Sequence, residues 1–446
     1  MQKLFGTDGI RGHAGEYPLD PRTVNIIGVA LSRQLREVLG REPRLISGRD
    51  TRESGAEIEA AILAGAAAEG ARCESAGVIT TPGVAYLTGA FEFDAGIVIS
   101  ASHNPYRDNG IKIFAPDGKK LDGEAERAIE AAVLADNAPL TRQADVRSQR
   151  AQKFCRDYLD HLRSEAGDLS LAGMKIVLDC ANGAASSLAP SLFESLGASL
   201  NTINDRPDGQ NINRNSGSTH LEHISRVVVE EGAEIGVAFD GDADRVLFVD
   251  ETGCVVDGDG TLWVMAQYLK DHGKLQNSTV VATVMSNIGL QLALASRGIE
   301  LLRANVGDRY VLEKLLETGT EIGGEQSGHI IFPSISLVGD GMMTALLLLR
   351  AIREKGVPLS QATEGFSRYP QILLNIPVKE KRPFENVPEI AAAAKRVEEE
   401  LDGEGRLLLR YSGTEKLARV MIEGKDQAGI EAQAQQLAEV IGVSLG

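Results

Sequence analysis

The sequence predicts an α/β protein with three similar α/β domains, whose mixed, largely parallel sheets surround a central cleft, and a C-terminal α+β domain. Strand-like apolar runs alternate with helical patterns through roughly the first 365 residues, which is typical of βα units. In three places a short apolar strand runs into a polar loop, and ligands of open α/β sheets bind beyond the carboxyl ends of strands. The three sets have no clear sequence self-similarity, so the repeat is inferred from this pattern.

The first domain is predicted for residues 1–152. Asp20 is suited to cap a helix that begins at Pro21, because its side chain accepts hydrogen bonds and proline fits the first helical position. Apolar residues follow at helical spacing until Gly40 ends the run. The other predicted elements of this domain are a strand at 44–47, a helix at 53–70, a buried strand at 95–99 and a polar stretch at 136–152 that contains a linker or an exposed helix.

The remaining three domains are predicted for residues 153–256, 257–367 and 368–446. Each of the second and third domains repeats the change from strand to polar loop, whereas the fourth mixes strands and helices differently. The predicted strands are 175–179, 235–239, 246–249, 280–284, 301–304, one that ends before the loop at 324–329, 371–377, 406–411 and 418–422. The predicted helices are 185–196, 342–353, 389–401 and 428–440.

The composition excludes several classes of protein. Lys plus Arg number 46 and Asp plus Glu number 63, and the net charge of −17 argues against nucleic acid or an anionic membrane as a partner. The four cysteines form no CxxC pair and no zinc-like spacing, which indicates free thiols in a reducing compartment. No secretory h-region is visible, and the longest apolar stretch is too short to span a bilayer. We therefore expect a soluble, cytoplasmic protein, and the sequence leaves a homodimer open.

An acidic loop follows the strand at 235–239. Asp240, Asp242 and Asp244 alternate, so in an extended segment they project to one side and could converge on one cation. Oxygen ligands favour a hard ion, magnesium or calcium, and the alternative is a solvated acidic turn. A calcium EF-hand is excluded, because its sixth position is Arg245 where the turn requires glycine, and because strands flank the loop.

Ser102 follows the buried strand at 95–99 and precedes His103, Asn104 and a proline. These residue types also form ordinary turns, so the loop alone does not establish a nucleophile. The chain has no GxSxG elbow, which disfavours acyl transfer. A serine that faces a metal loop instead indicates phosphoryl transfer, where positioning and charge neutralisation supply most of the catalysis.

Cationic residues recur beside glycines in the loops. Glycine lets backbone N–H groups approach a phosphate closely, and arginine binds phosphate through two donors. Each such residue taken alone is also compatible with an ordinary surface charge, and His329 is equally compatible with a core histidine. The cationic candidates are Arg11, Lys112, Arg245, Arg309 and Arg410.

Five motifs together resemble the α-D-phosphohexomutase family over nearly the whole chain. They occur in the family's order and approximate spacing, and the set is far more specific than any one member. The motifs are FGTDGIRG (5–12), SASHNP (100–105), DGDADR (240–245), GEQSGH (324–329) and RYSGTE (410–415). DGDADR and GEQSGH, with VGDRYV (306–311), are most similar to the branch that acts on glucosamine phosphates. Lys416 departs from the proline that usually follows the last motif, which puts the shape of that loop in question.

The resemblance implies a role for each matching residue. Ser102 would carry the phosphoryl group, and Asp240, Asp242 and Asp244, with Ser102 itself, would bind one magnesium ion per chain. Proton transfer or its electrostatic support would fall to Lys112 or His329, which the sequence does not rank, with Arg11 and Arg245 also at the reacting centre. The implied substrate-binding residues are His103, Asn104, Gly307, Arg309, Glu325, Ser327, Arg410, Ser412, Gly413 and Thr414.

The implied activity is the interconversion of glucosamine 6-phosphate and glucosamine 1-phosphate through a hexosamine 1,6-bisphosphate, which turns over in the site without leaving. The product would feed UDP-N-acetylglucosamine synthesis. Two alternatives remain at this point. One is the same chemistry on glucose or mannose phosphates, and the other is a catalytically silent protein that binds sugar phosphates.

Overall fold

The computed structural model describes residues 4–6, 8–135, 149–412 and 415–446. The chain divides into two compact units, one formed by Met1–Met285 with Leu301–Glu364 and the other by Ser286–Glu300 with Gly365–Gly446. Three sheets with parallel strands precede one antiparallel sheet, which confirms the predicted succession of three α/β domains and an α+β domain. The predicted boundaries at 152, 256 and 367 stay predictions, and each sheet lies inside one of the predicted segments.

The first sheet has the strand order β1-β5-β4-β2-β3. Its strands are β1 (Ile10–His13), β2 (Arg44–Arg49), β3 (Arg72–Val78), β4 (Ala95–Ile99) and β5 (Asp108–Phe114). The helices of this region are α1 (Pro21–Leu39), α2 (Gly55–Ala68), α3 (Thr81–Ala90) and α4 (Gly123–Ala135). β2 is parallel to β3 and β4, whereas β5 is antiparallel to β4 and β1.

Helix α1 shows how the sequence sets its own bounds. Asp20 accepts a hydrogen bond from the backbone N–H of Thr23 at 2.9 Å, as an N-cap does. Gly40 ends the helix in the left-handed conformation at φ 65°, which glycine adopts without strain. Val24 and Ile27 lie one helical turn apart and are buried in the core of the first sheet. The predicted cap and stop of this helix are confirmed, whereas the predicted apolar face is buried only toward the N-terminal end, because Val38 is exposed.

The second sheet repeats the arrangement, with the order β10-β9-β8-β6-β7. Its strands are β6 (Lys175–Asp179), β7 (Ser199–Ile203), β8 (Ile235–Phe239), β9 (Val246–Asp250) and β10 (Val255–Val256). Its helices are α5 (Ala151–Ala166), α6 (Leu188–Ser195) and α7 (Glu222–Glu231). The helix predicted at 185–196 is divided into a 3-10 turn at Ala184–Ser186 and α6. Of the polar stretch at 136–152, residues 136–148 lie outside the described residues.

The third sheet has the order β12-β11-β13-β14. Its strands are β11 (Thr279–Thr283), β12 (Glu300–Ala304), β13 (Gly323–Gly324) and β14 (Ile330–Ile331). The helices in this stretch of chain are α8 (Gly258–Asp271), α9 (Ile288–Ser296), α10 (Asp308–Thr318), α11 (Gly341–Lys355) and α12 (Leu359–Ala362). Helix α9 belongs to the second unit, and the others belong to the first.

The three sheets share one strand order, because β3-β2-β4-β5, β7-β6-β8-β9 and β12-β11-β13-β14 place four successive strands in the same sequence. The turn between the third and fourth strands therefore has the same topological position in each sheet. These three turns contain the serine loop, the acidic loop and the loop at 325–329. The repeat expected from the pattern is present, and it brings the three motifs to equivalent places.

The second unit contains a small antiparallel sheet and its own core. The sheet has the order β15-β17-β16. Its elements are β15 (Gln371–Pro377), α13 (Pro388–Leu401), β16 (Arg406–Tyr411), β17 (Leu417–Glu423) and α14 (Gln427–Leu445). Ile390 of α13, Val420 of β17 and Leu437 of α14 are buried together, so both helices pack on the sheet. Across the described ranges of both units, no helix is long and apolar enough to cross a membrane.

Candidate active site

The loop between β4 and β5 holds Ser102 in a constrained conformation. Ser102 has φ 52°, in the left-handed region that non-glycine residues seldom adopt, and its side chain is buried. Its backbone N–H donates to Ser100 Oγ at 2.9 Å, and that hydroxyl donates to Asp50 Oδ2 at 2.6 Å. β2 and β4 are parallel neighbours, so Asp50 and Ser100, which directly follow these strands, meet at the same sheet edge.

The three aspartates expected to bind a metal lie beside this serine. The ligand oxygens of Asp240, Asp242 and Asp244 are within 4.8 Å of one another, and all three residues are buried. Ser102 Oγ donates a hydrogen bond to Asp240 Oδ2 at 2.5 Å. Thr81 Oγ1, at the start of α3, donates to Asp242 Oδ2 at 2.5 Å. The serine loop and the acidic loop therefore form one site.

Lys112 is the cation at the centre of this site. It lies on β5, is buried, and donates to Asp242 Oδ2 at 2.9 Å and to Asp244 Oδ2 at 3.0 Å. Burial alone would lower the pKa of Lys112, but Asp242, Asp244 and Asp8 raise this pKa well above its usual value. Lys112 is therefore a fixed positive charge at neutral pH.

The acidic loop carries more negative charge than its neighbours neutralise. Burial, and then repulsion by Asp242 and Asp244, raise the pKa of Asp240 well above its usual range. Burial also acts to raise the pKa of Asp244, but Lys112 and His329 hold it well below its usual range. The surroundings of the cluster therefore stabilise the negative charge of Asp244 but not that of Asp240.

The donor set of this loop fits a hard divalent cation. Asp242 Oδ1 and Asp244 Oδ1 are buried and accept no hydrogen bond from the residues that the structure describes. Leaving such carboxylate oxygens unpaired is costly, and a cation would remove that cost. All the available ligands are oxygens. Hard ions such as magnesium and calcium prefer oxygen ligands, whereas softer metals prefer nitrogen and sulfur. The buried acidic triad could therefore bind a metal.

Arg245 connects the acidic loop to the serine loop. Its backbone N–H donates to Asp240 Oδ1 at 3.2 Å, and its Nη1 lies 3.2 Å from His103 Nδ1. Because a guanidinium only donates, His103 Nδ1 is an acceptor here, and the same atom lies 3.3 Å from Ser102 Oγ. Burial, followed by Arg245, lowers the pKa of His103. His103 is therefore a neutral ring beside the serine.

Arg11 reaches the site from β1 through a network of charges. Arg11 Nη2 donates to Asp8 Oδ2, and Lys120 Nζ donates to Asp8 Oδ1 at 2.6 Å. Lys120 also lies 2.6 Å from Asp308 Oδ2, so it joins the N-terminal loop to the start of α10. Arg11 Nη1 is buried and has no hydrogen-bond acceptor in the described part of the chain. It is therefore a free donor.

His329 is buried against the acidic loop. Its Nε2 accepts a hydrogen bond from the backbone N–H of Gly339 at 3.1 Å, and its Nδ1 lies 3.7 Å from Asp244 Oδ1. Because Nε2 acts as the acceptor, the proton of the neutral ring is on Nδ1 and faces Asp244. His329 thus supports the aspartate that also contacts Lys112.

The loop between β13 and β14 contains polar groups with unused hydrogen-bonding capacity. Glu325 Oε1 accepts a hydrogen bond from the backbone N–H of Gly307 at 3.2 Å, which joins two predicted substrate-binding residues. Ser327 Oγ is buried and has no hydrogen-bond partner within the described ranges. Arg309 instead pairs with Glu313 on the half-exposed face of α10 at 3.1 Å, apart from the acidic loop.

In the second unit, the hairpin of β16 and β17 places two arginines side by side. Arg410 lies directly opposite Arg419 in the strand register, an arrangement in which like charges repel. Burial, and then Arg419, lower the pKa of Arg410. Lys381 Nζ donates to the carbonyl oxygen of Ser412 at 2.6 Å. This hairpin therefore gathers cations, and Gly413 and Thr414 lie outside the described residues.

Sequence reasoning missed several residues that surround Ser102. Arg52 is fully buried and donates to the carbonyl oxygens of Ser102 and Asn104, and Asn213 donates to the same two oxygens. The signal for Arg52 was a polar segment directly after β2, which obeys the same strand-end rule as the recognised loops. Asn213 lies in an irregular segment after β7, and no sequence rule singles it out.

Four domain families match the chain in succession. Phosphoglucomutase/phosphomannomutase alpha/beta/alpha domain I matches residues 2–139, domain II matches 156–253, domain III matches 257–369 and the C-terminal domain matches 373–440. A phosphoglucosamine mutase of Desulforamulus reducens is 48% identical over 448 residues, which cover 99% of this chain and 100% of the relative.

Two solved structures share the fold. A phosphoglucomutase/phosphomannomutase family protein of Burkholderia thailandensis has a TM-score of 0.79 and 24% identity, and covers 100% of this chain and 98% of its own. The N-acetylphosphoglucosamine mutase of Aspergillus fumigatus, in complex with GlcNAc-6P and magnesium, has a TM-score of 0.70 and 16% identity over 99% and 96% of the two chains. At these identities the two structures are informative about the fold alone.

Proposed function

Because the chain belongs to the phosphoglucomutase/phosphomannomutase family, we propose that it is a magnesium-dependent mutase that interconverts glucosamine 6-phosphate and glucosamine 1-phosphate. The observation that carries this proposal is the hydrogen bond of 2.5 Å between Ser102 Oγ and Asp240, inside a buried cluster of three carboxylates. A serine in this setting suits phosphoryl transfer better than binding alone, because its oxygen is fixed where charge can be neutralised.

Charge balance supports a divalent cation at the acidic triad. When all three are ionised, Asp240, Asp242 and Asp244 carry one more charge than the two cations beside them, the buried Lys112 and the partly buried Arg245. A phosphate on Ser102 would add about 1.5 to 2 further negative charges. We assign the three aspartates and the phosphoserine as the groups that hold magnesium, the ion present in the fungal neighbour. When bound, the ion would neutralise charge on the transferring phosphoryl group and on the serine oxygen.

The reaction proceeds in two transfers. In the first, the sugar hydroxyl attacks phosphorus, the bond from phosphorus to Ser102 Oγ breaks, and a 1,6-bisphosphate forms as the proton of the hydroxyl passes to the freed Ser102 oxygen. The bisphosphate then reorients within the site, so that its other phosphoryl group faces Ser102. In the second, Ser102 Oγ attacks the other phosphoryl group, the bond from phosphorus to the sugar oxygen breaks, and the serine proton passes to that oxygen, so the product leaves with a free hydroxyl there. The phosphoserine is thereby restored, and each step exchanges one P–O bond for another.

The chain's own residues supply fixed positive charge for these steps. Lys112 stays protonated and offsets charge near the serine, so we assign it electrostatic support. Arg245 fixes the His103 ring beside Ser102 Oγ, and Arg11 Nη1 is a free donor for a phosphoryl oxygen. His329 Nδ1 lies 3.7 Å from Asp244 Oδ1 and adds a favourable electrostatic contact. Each group is held by its own partners before substrate arrives, which limits the reorganisation that the reaction requires.

Sugar recognition is assigned to the loop between β13 and β14. Ser327 Oγ has an unsatisfied hydrogen-bonding capacity, and Glu325 retains a second carboxylate oxygen while Gly307 binds the first. These groups suit the hydroxyl and amino substituents of a hexosamine. The preference for glucosamine over glucose or mannose phosphates rests on the 48% identity to the phosphoglucosamine mutase of Desulforamulus reducens.

The test is a panel of glucosamine, glucose and mannose phosphates, each assayed with magnesium and a trace of hexose 1,6-bisphosphate, together with the intact mass of the purified protein. We expect the highest kcat/KM with glucosamine phosphates and one phosphate on part of the protein. Equal or better turnover of glucose phosphate would transfer the proposal to the phosphoglucomutase branch. Absence of turnover with every sugar phosphate would favour a silent binding protein.

A further inference from the structure

Two buried side chains grip the same two carbonyl oxygens of the serine loop. Arg52 Nη2 donates to the carbonyl of Ser102 at 3.0 Å and to that of Asn104 at 2.9 Å. Asn213 Nδ2 donates to the carbonyl of Ser102 at 2.8 Å and to that of Asn104 at 3.1 Å. Each carbonyl oxygen has two lone pairs, so one donor from each side satisfies it completely.

The rest of the Arg52 guanidinium is also used within this loop. Nη1 donates to the carbonyl of Pro105, and Nε donates to Asp50 Oδ2 at 2.9 Å. Asp50 in turn accepts from Ser100 Oγ, which accepts the backbone N–H of Ser102. A closed ring of hydrogen bonds therefore runs from Arg52 through Asp50 and Ser100 back to Ser102.

The acidic loop also approaches the carbonyl oxygen of Ser102. A Cβ placed on Gly241 would lie 2.5 Å from the Ser102 carbonyl oxygen and 2.9 Å from Asn213 Nδ2. Glycine is therefore the residue that lets the two loops approach this closely. The position of the Ser102 backbone is fixed by Arg52, Asn213 and Gly241 together, and these residues come from three different segments.

We propose that Arg52 and Asn213 are positioning residues that hold Ser102 in its left-handed conformation and so set the distance from its oxygen to Asp240. The inference rests on the proposed function of Ser102 as phosphoryl carrier. A fully buried ion pair contributes little to stability compared with apolar packing of the same volume, so fold stability does not explain the use of arginine here. What a guanidinium provides is a planar set of donors for three carbonyls at once.

The test uses Arg52→Lys and Asn213→Gly. Lysine keeps the charge but cannot bind three carbonyls in fixed directions, and glycine keeps the positive φ of 56° at position 213 while it removes the amide. We expect kcat to fall about 100-fold in Arg52→Lys and about 10-fold in Asn213→Gly. KM for both glucosamine phosphates should be unchanged, because neither side chain is assigned to the substrate.

Matched controls are available close to each position. Arg49→Lys alters a partly buried arginine that pairs with Glu59 at 3.2 Å and does not contact the serine loop. Asn215→Gly makes the same change two residues away, at φ 52°, where the side chain is exposed. Both controls should keep the wild-type kcat. An equal fall in the controls would reduce the effect to general destabilisation and overturn the proposal.

A second measurement separates this inference from the proposed function. Amide hydrogen exchange of a peptide covering residues 99–107 should be faster in Arg52→Lys and Asn213→Gly than in wild type and controls. Unchanged exchange and unchanged kcat would overturn the positioning role of Arg52 and Asn213 even if the wild type is an active mutase. A wild type without phosphoserine or mutase activity would refute the proposed function. The exchange rates would still decide whether Arg52 and Asn213 hold the serine loop in place.

Discussion

The acidic loop of the first unit and the β16–β17 hairpin of the second unit both place like charges close together, but they do so differently. The aspartates at 240, 242 and 244 are buried, and donors from Ser102, Thr81 and Lys112 fix their oxygens. Arg410 and Arg419 are only half-buried and lie directly opposite each other, and the side chain of Arg410 has no hydrogen-bond or ion-pair partner among the described residues.

The difference is what we expect if the acidic site takes part in bond breaking and the hairpin only anchors a phosphate. A group that takes part in bond breaking must be held to within a fraction of an ångström, because a displacement of about 1 Å can cost about 100-fold in rate. A group that only anchors a phosphate contributes equally in the ground state and the transition state, so it can remain mobile and exposed until the ligand arrives. We therefore expect changes in the acidic site to lower kcat and changes in the hairpin to raise KM.

The largest effect is expected for Ser102→Ala. Without Oγ the protein has no atom to carry the phosphoryl group, so mutase turnover should be lost while the fold persists, because removal of a small hydroxyl leaves the backbone hydrogen bonds of the loop intact. The activity assay should be paired with thermal unfolding and intact mass. Near-wild-type turnover in this variant would refute Ser102 as the phosphoryl carrier and with it the proposed mechanism.

The next effect is expected for Asp242→Asn, which keeps the shape of the side chain and removes its charge. Two carboxylates hold a hard, strongly hydrated ion less well than three, so magnesium affinity should fall by at least about 10- to 100-fold. Calorimetric titration of magnesium measures this without reliance on activity, and activity against magnesium concentration should shift in parallel.

A matched control for that change is Asp168→Asn, since the side chain of Asp168 is fully exposed. It should leave the magnesium titration unchanged. If Asp242→Asn bound magnesium as tightly as the wild type, the acidic loop would not be the metal site, and its charge would need another role.

Much of the fold follows from local sequence. The predicted strands at 95–99, 175–179, 235–239, 371–377 and 406–411 match the observed bounds, because each is a short β-rich run with clear stop signals. The strand predicted before the loop at 324–329 is present only as Gly323–Gly324. These two glycines have no apolar run of their own and form a strand because their backbone pairs with β11 and β14. Pairing between distant strands sets that element, and local propensity does not report it.

The candidate site divides in the same way. Ser102, the three aspartates and the β13–β14 loop are found from motifs, because each follows the end of a strand. Arg52 and Asn213 contact Ser102 across separations of 50 and 111 residues, and Lys120 contacts Asp8 across 112. Such contacts depend on how sheets and loops pack against each other. The strand-end position of Arg52 is a local signal for its place at this sheet edge, but no local pattern in a single sequence reports which residues it contacts.

The effect of Arg410→Ala on kcat is expected to be the smallest, and this variant is the sharpest test of the comparison. If the hairpin only anchors the phosphate that is not reacting, this arginine should act alike on both substrates, because a bisphosphate that turns over presents each phosphate to Ser102 in turn. A charge-assisted hydrogen bond contributes about 1.5–3 kcal/mol, so KM for glucosamine 6-phosphate and glucosamine 1-phosphate should each rise roughly 10- to 150-fold. The fall in kcat should be smaller, and free bisphosphate should escape more often.

Arg396→Ala, an exposed arginine on α13 of the same unit, is the control and should leave KM unchanged. Steady-state kinetics in both directions, with the released bisphosphate quantified, measure these quantities. A loss of affinity for only one of the two substrates would mean that the two binding orientations use separate phosphate sites. A loss of kcat with constant KM would place Arg410 in the chemical step. The distinction between a rigid reacting centre and an anchoring hairpin would then fail, because the half-buried arginine would do what we assign to the buried site.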